Sequence, residues 1–564
     1  MMSKKLINFK LRHKYRNFIN ICVRDKSVWA SCGVVKSPFK DVDIPRLTID
    51  EYMWRNLDKW ATKTATVCGV SNRSYNYEQV YKHSRILAAN LRKRFKIKDG
   101  ETIAVMMPNL PEYPIVIHGI LAAGGIASTF NPIYTSYETQ RLLHLSEASV
   151  IITVADIVPT IKDALTESKK SIPIIMLDVD QNLMEGTVSY KELVEDKHVD
   201  LSILKEVNRS HDDVALLPFS SGTTGLPKAV QLTNRNIVAN CHQQNTECRQ
   251  YAYTTEAHQD NTLAILPFFH SYGLGLIMMH KLSVGLKLVT LPKFLPETFL
   301  NSLLQNKIHL LYLAPPMVMF LGTHPQVTAK HLEHLTCVTS GAAPLPPPDI
   351  EKFFEKAERV IQFAQGYGMT EASPLVSLTP MGQKTYEDVG YALPNVDLRI
   401  VDGEMKNLGP DQVGELLIKG PNIMKGYLKN PEADSEVFVD GDWLRSGDVG
   451  RIDKTGLLTI SDRLKELIKV KGYQVPPAEL EGVLKAHPSV LDAAVVGVPD
   501  SYTGERPRAF VVLKDPSTTS DSIASFVNEK VAPYKKIKEI VVLESIPKNP
   551  SGKILRKVIK EKYC

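Results

Sequence analysis

Apolar residues in the first half of this chain gather into short solid runs, separated by longer stretches with one apolar face. Thr102–Met106, Val150–Val154 and Ile172–Leu177 have strand length and little polar alternation, the pattern of strands covered on both faces. Tyr113–Leu121 reads as the start of a helix, and Thr48–Trp60 as a capped helix that opens the folded body. This alternation from about residue 65 to 215 predicts an α/β architecture with largely parallel sheets.

The last hundred residues have a different pattern. Pro476-Pro477 introduce a helix with Leu480, Val483 and Leu484 on one face, since proline is well placed at a helix start. Ala493–Val498, Ala509–Leu513 and Glu539–Leu543 read as strands, and Asp521 opens a helix that aligns Ile523, Phe526, Val527 and Val531. Two helices among a few strands make a small α+β domain. The polar stretch Ser461–Lys465 lies between the apolar segments Leu457–Ile460 and Leu467–Val470. The expected organisation is an N-terminal extension at 1–42, a large domain at 43–461, a hinge at 462–465 and a small C-terminal domain at 466–564.

A length of 564 residues agrees with more than one domain, and 43% hydrophobic with 23% charged residues is ordinary globular composition. The formal charge of +6 is misleading. Residues 1–24 carry Lys4, Lys5, Lys10, Arg12, Lys14, Arg16 and Arg24 without one acid, so the remainder is close to neutral. The charge therefore reports a basic tail and gives no support to a nucleic-acid partner. That tail partly matches a mitochondrial presequence but is poor in serine; a solvated extension in a cytoplasmic protein is the alternative. The C-terminus, Lys562-Tyr563-Cys564, is not a Ser-Lys-Leu peroxisomal address. No apolar run reaches transmembrane length. Seven cysteines without a CxxC pair argue against a zinc site or disulfide framework. Oligomeric state is not readable.

Candidate chemistry begins where the apolar strand Val214–Phe219 runs into Ser220-Ser221-Gly222-Thr223-Thr224-Gly225-Leu226-Pro227-Lys228. Two glycines permit tight turns whose amides face an anion, and hydroxyls and an ammonium add donors, a design suited to polyphosphate. The glycine spacing is not that of a Walker A loop, which argues against a P-loop ATPase. In Gln365-Gly366-Tyr367-Gly368-Met369-Thr370-Glu371, small residues admit a ligand to the backbone, Tyr367 offers a stacking face and Glu371 a carboxylate for Mg²⁺. Asp448 suits ribose hydroxyls or a plain turn. Pro547–Lys553, taken locally, is indistinguishable from a flexible basic tail.

Together these segments resemble the acyl-adenylate-forming superfamily, in the branch of 4-coumarate–CoA ligases, related acyl-CoA ligases and beetle luciferases. The resemblance covers roughly residues 48–560. It rests on Ser220–Lys228, Ser340-Gly341-Ala342-Ala343-Pro344-Leu345, Gln365–Glu371, Ser446-Gly447-Asp448 with Asp462-Arg463, and Pro547–Lys553, all in the family's order, with Lys471-Gly472-Tyr473-Gln474 after the junction. It implies a large domain of packed α/β subdomains, a mobile C-terminal domain and an acid–thiol ligase using ATP, Mg²⁺ and coenzyme A. A carboxylate attacks the α-phosphate to give acyl-AMP, and a thiol then displaces AMP.

By that resemblance, Ser220, Ser221, Gly222, Thr223, Thr224, Gly225 and Lys228 guide the outer phosphates, with Thr223 and Glu371 at the metal. Thr370 contacts the α-phosphate, Ala342, Gln365, Gly366 and Tyr367 line the adenine side, and Asp448 with Arg463 holds the ribose. Lys553 bridges carboxylate and α-phosphate. His270 is the gate residue, and Tyr272, Gly341 and Gly366 wall the acyl pocket. Lys465 is the hinge about which Lys469, Lys471 and Gly472 turn towards the thioester-forming site. Two departures bear on the acid. Ser271-Tyr272-Gly273-Leu274-Gly275 stands where coumarate ligases carry Ile-Tyr-Ala-Leu-Asn, which implies a roomier apolar pocket for a fatty or another aryl acid. Asn240 stands where luciferases carry an Arg. A luciferase-like monooxygenase and a catalytically inactive nucleotide-binding protein are the competing readings.

Overall fold

The computed structural model describes residues 28–221, 227–245, 249–343, 345–383, 386–463, 466–470, 473–500, 503–531, 533–549 and 552–564. Its apolar runs form the middle of two large sheets. Thr102–Met106 and Val150–Val154 are adjacent parallel strands, flanked by Ile126–Thr129 and Ile174–Leu177. Helices cover this sheet: Tyr77–Phe95, started by a reciprocal Asn76–Gln79 cap, packs against the wholly buried Tyr113–Ala122. The second nine-stranded sheet has a parallel run through Thr64–Cys68, Lys287–Thr290, Asn261–Ala264, Leu310–Leu313, Cys337–Ser340 and Gln362–Gly368.

Two expectations change at this level. Val214–Phe219 is not one strand. Val214–Leu216 runs parallel to Ile126–Thr129, while Phe219–Ser221 pairs antiparallel with Pro227–Thr233. Pro218 lies between them; it has no amide to donate to a ladder, and its carbonyl accepts from Val230 N at 2.9 Å. Thr48–Trp60 likewise divides into Ile49–Trp54, capped by Thr48, and Leu57–Trp60, because Asn56 leaves the helical region.

A six-stranded, largely antiparallel sheet contains Asp397–Val401, Gly414–Lys419, Trp443–Ile452 and Leu458–Arg463. Val35–Lys36 adds to its edge, Trp29 donates to the Asp453 carbonyl at 2.8 Å, and Phe39 meets Tyr391 edge-on. Residues 28–42 are therefore attached to the body, although the extension was expected to run to 42. A two-residue strand anchored by scattered aromatics leaves no periodicity to read. The basic tail lies outside the described residues. Asp462 and Arg463, expected in the hinge, still belong to this third sheet, and Lys465 lies outside the described residues.

The C-terminal unit is a five-stranded sheet built on the long antiparallel pair Val490–Asp500 and Gly504–Leu513, with helices Pro477–Lys485 and Ser520–Asn528 and a final helix Arg556–Tyr563. It has its own apolar core around Val495, Leu480 and Ile523. Among the described residues no helix is long and apolar enough to cross a membrane.

Candidate active site

Several parallel strands end in the same place. Ser340 closes one strand and Gly341-Ala342 follow it. Gln362–Gly368 runs beside that strand, His270 follows Asn261–Ala264, and Asn131 follows Ile126–Thr129. The carboxyl ends of adjacent parallel strands leave a crevice where neighbouring connections diverge, the usual ligand position in open α/β sheets. Here the crevice is a cavity of about 990 Å³ whose walls include Ser220, Lys228, His270, Tyr272, Gly341, Ala342, Gly366, Tyr367, Thr370, Glu371 and Lys553. A second cavity of about 760 Å³ shares Ala342, Gly366, Tyr367 and Lys553 and adds Gln365, Asp448 and Asp462.

One wall is a hairpin. Ser220 sits opposite Lys228 in its ladder, and Ser220 Oγ is buried without a hydrogen-bond partner among the described residues. A buried hydroxyl in that state can take a hydrogen bond from water or from a ligand in the cavity. Gly222, Thr223, Thr224 and Gly225 lie outside the described residues, as do Lys471 and Gly472; for Ser221 and Arg463 only the strand placement is described.

The strand Gly426–Tyr427 pairs with Pro227–Thr233 and brings in a residue the sequence did not flag. Tyr427 donates its hydroxyl to Glu371 Oε1 at 3.0 Å, and the Lys228 ammonium lies 4.8 Å from the centre of its ring. Burial, and then the Glu371 carboxylate, raise the Tyr427 hydroxyl pKa, so it remains a donor. Glu371 is only 6% exposed, and Thr370 beside it shares a 3.0 Å hydrogen bond with Ser271, a second residue not anticipated. Tyr427 belongs to no segment singled out in the sequence, and Ser271 only heads the run ending at Gly275; the tertiary fold joins them to Glu371 and Thr370.

Tyr367 lines the cavities as expected and also donates to Asp448 Oδ2 at 2.6 Å. Ser446 Oγ accepts from the Asp448 amide at 3.0 Å. Asp448 is thus oriented by its neighbours rather than being a loose turn aspartate. His270 is half-buried on the cavity wall. Its Nδ1 accepts from the Tyr272 amide at 3.2 Å, and desolvation pushes its pKa down to about 4, so the ring is neutral at physiological pH with Nε2 as its donor. Tyr272 donates to the Thr339 carbonyl, and a Cβ on Gly341 would come within 3.3 Å of its ring.

The roomier pocket expected from Gly273 and Gly275 is not found at those positions. A Cβ on Gly273 would lie 2.2 Å from the Pro267 carbonyl oxygen, and one on Gly275 would lie 2.7 Å from Pro374 Cδ. Both glycines permit close packing of the wall rather than adding volume to the pocket. Asn240 is locked into the body, donating to the Leu375 carbonyl at 2.7 Å and accepting from the Leu375 amide at 3.2 Å.

Lys553 reaches the cleft from the C-terminal unit on a tight hairpin. Lys548 bridges to Ile554, and Asn549 Oδ1 accepts from the Lys553 amide at 2.8 Å. Gly552 has φ +82°, and a Cβ there would meet Pro316 at 2.9 Å, so glycine serves both the turn and its docking on the N-terminal body. Lys469, by contrast, is exposed on Ile468–Val470 and lines neither cavity.

The comparisons with known proteins agree with this layout. The family model for AMP-binding enzymes matches residues 53–428, and that for the AMP-binding enzyme C-terminal domain matches 479–553. The chain is 36% identical to 4-coumarate–CoA ligase 3 of Oryza sativa subsp. japonica, over 94% of this chain and 95% of that protein. It is 37% identical to 4-coumarate–CoA ligase 1 of Solanum tuberosum, over 94% and 97%. The ATP-bound crystal structure of MatB from Rhodopseudomonas palustris superposes with a TM-score of 0.81 at 25% identity, covering 92% of this chain and 99% of that one. The chain belongs to the AMP-binding enzymes, as an ATP-dependent, AMP-forming acyl-CoA ligase.

Proposed function

We propose that the enzyme activates a planar, hydrophobic acid of the cinnamic type, with the roles divided between the cleft and the C-terminal hairpin. A carboxylate oxygen attacks the α-phosphorus of ATP, the bond to the bridging β-phosphate oxygen breaks, and pyrophosphate leaves. The thiol of coenzyme A then attacks the acyl carbon and AMP departs. The first step brings two anions together, so cations and donors fixed beforehand around the α-phosphate are the main need. Lys553 supplies the cation between carboxylate and α-phosphate, Thr370 a hydroxyl, and Lys228 with Ser220 and the turn that follows it the grip on the outer phosphates. Asp448 holds the ribose with Arg463, beside Gln365, Gly366 and Tyr367.

Glu371 suits Mg²⁺ in its chemistry: a buried carboxylate, one oxygen accepting from Tyr427, on the wall of the phosphate cavity. Among the described residues no group of three or more His, Cys, Asp or Glu is arranged to hold a metal. Glu371 and Thr223 would be the protein's share of the ion's ligands, beside phosphate oxygens and water. When bound, it neutralises phosphate charge.

His270, neutral and turned by the Tyr272 amide, guards the approach of the thiol. Lys465 serves as hinge, and the face with Lys469, Lys471 and Gly472 serves the second step after rotation. The cinnamic-type acid is supported by the coumarate-ligase relatives and by the packed wall at Gly273 and Gly275. The observation that carries the proposal is the meeting of Lys228 and Lys553, from distant parts of the chain, around Thr370 and Glu371 in one cavity. The test is AMP release across cinnamic, benzoic and fatty acids, with and without coenzyme A. Cinnamic acids giving the highest kcat/KM supports the assignment; a fatty acid exceeding them overturns it.

A further inference from the structure

Three residues after Lys553, the first residue of the final helix, Arg556, makes three contacts close to the junction of the two units. The Arg556 guanidinium donates through Nη1 to Glu466 Oε2 at 2.8 Å, through Nη2 to Glu481 Oε1 at 2.7 Å and through Nε to the Val495 carbonyl at 3.2 Å. Its side chain is 12% exposed and that of Glu481 9%. Glu481 Oε1 also accepts from the Val495 amide at 2.8 Å. One side chain thereby ties the Lys553 hairpin to the segment leaving the junction, to helix Pro477–Lys485 and to the central strand Val490–Asp500.

The same cluster crosses to the N-terminal body. Asp462, on the last strand of the third sheet, accepts from the Ala478 amide at 2.8 Å, in the first turn of helix Pro477–Lys485. A carboxylate is stabilised there by the exposed amides and the helix dipole. Asp462, Glu466, Glu481, Arg556 and Lys553 all line the second cavity. Lys485 is a further cation acting on Glu481.

We propose that Arg556 is a positioning residue for adenylation: it holds the Glu466 and Glu481 carboxylates together, beside the Asp462–Ala478 contact, and so fixes where the Lys553 ammonium stands over the cleft. The inference rests on the adenylation role of Lys553 given above. The physical argument is tolerance. A lysine at the end of a four-carbon stem is useful only if its hairpin is fixed to within about an ångström, and a misplacement of that size costs about 100-fold in rate. Arg556 acts through a planar fork that satisfies two carboxylates and a carbonyl at once, which lysine cannot copy. Its removal leaves the buried Glu481 carboxylate without its guanidinium partner and beside the half-buried Glu466, and the cheapest relief is for the helix and hairpin to move apart.

The test measures both half-reactions in the full-length enzyme: acid-dependent ATP–pyrophosphate exchange, and thioester formation from supplied acyl-AMP and coenzyme A. For Arg556→Ala, exchange falls about 100-fold in kcat with the KM for ATP within about threefold, while thioester formation stays within about threefold. Arg556→Lys recovers only part of the exchange rate. Glu481→Gln, which keeps the shape and removes one charge, shifts the ratio of half-reactions in the same direction, so the proposal stays testable if the alanine variant fails to fold. Equal loss in both half-reactions, or an unchanged exchange rate in Glu481→Gln and Arg556→Lys, overturns the positioning role. Absence of exchange in the wild-type enzyme with every acid overturns the adenylation reading, and the proposal with it; robust wild-type exchange with insensitive variants overturns the proposal alone.

Discussion

On the N-terminal side of the cleft, the two acidic groups given ligand roles are buried and held by neighbours: Glu371 by Tyr427, and Asp448 by Tyr367 and Ser446. The C-terminal contribution is a half-buried lysine on a short hairpin that touches the body at Pro316. The first arrangement is preorganised, with its donors fixed before any ligand arrives. The second is delivered, and its accuracy depends on how the small unit is seated. Under the proposed roles the contrast suits a two-step reaction: nucleotide contacts would persist throughout, while the Lys553 ammonium would give way to a thiol. Binding and delivery should therefore fail separately when mutated.

Removing the delivered cation should separate them most. Lys553→Ala lowers acid-dependent pyrophosphate exchange about 1,000-fold, the upper range for loss of a preorganised charge. Thioester formation from supplied acyl-AMP stays within about threefold, which a coupled coenzyme A assay checks. Equal loss in both would erase the distinction. On the fixed side, Glu371→Gln keeps the Tyr427 contact and removes the charge. Exchange should fall about 100-fold, with partial recovery at raised Mg²⁺, read from a metal titration. Gly341→Val places a branched side chain against Tyr272 and the Gly366 carbonyl. The KM for the acid should rise about tenfold while the KM for ATP holds, because only the acyl side is narrowed.

The smallest effect concerns His270. Its pKa, lowered to about 4, keeps the ring neutral above that value. The rate of thioester formation should therefore show no inflection from this residue between about pH 5.5 and 8. The sign for stability follows: a histidine with depressed pKa stabilises the fold fully above its unfolded value near 6.5 and loses that contribution as pH falls towards 4. His270→Gln should flatten the acid side of a melting-temperature profile. A kinetic inflection near pH 6.5 that disappears in His270→Gln would contradict the neutral assignment.

The parts legible in the sequence are those set by local physics. Thr102–Met106 and Val150–Val154 lie where their unbroken apolar runs put them, and Pro476-Pro477 does introduce a helix. Thr370 and Glu371 took their roles from the family resemblance, whereas Ser220 and Lys228 could be singled out because they lie in a short segment dense in glycine and donors. Tyr427 and Ser271 could not: each is an ordinary residue until sheet pairing or a strand end brings it against Glu371 or Thr370. The same limit explains Gly273 and Gly275. A glycine in a sequence says that a side chain is missing, but only the fold shows whether ligand or the protein's own backbone fills the space. Lys553 is the intermediate case: taken locally it is indistinguishable from a tail, the family resemblance alone singles it out, and the fold shows its hairpin docked on Pro316.

If a bound acyl-AMP forms in this cleft before the thiol reacts, a rapid-quench experiment on the wild-type enzyme will capture it. Mixed with ATP, Mg²⁺ and a good acid but no coenzyme A, the enzyme should release about one equivalent of pyrophosphate in a burst and retain acyl-AMP; coenzyme A should then release AMP and thioester together. Production of ADP, or thioester formation with no preceding pyrophosphate burst, would contradict it.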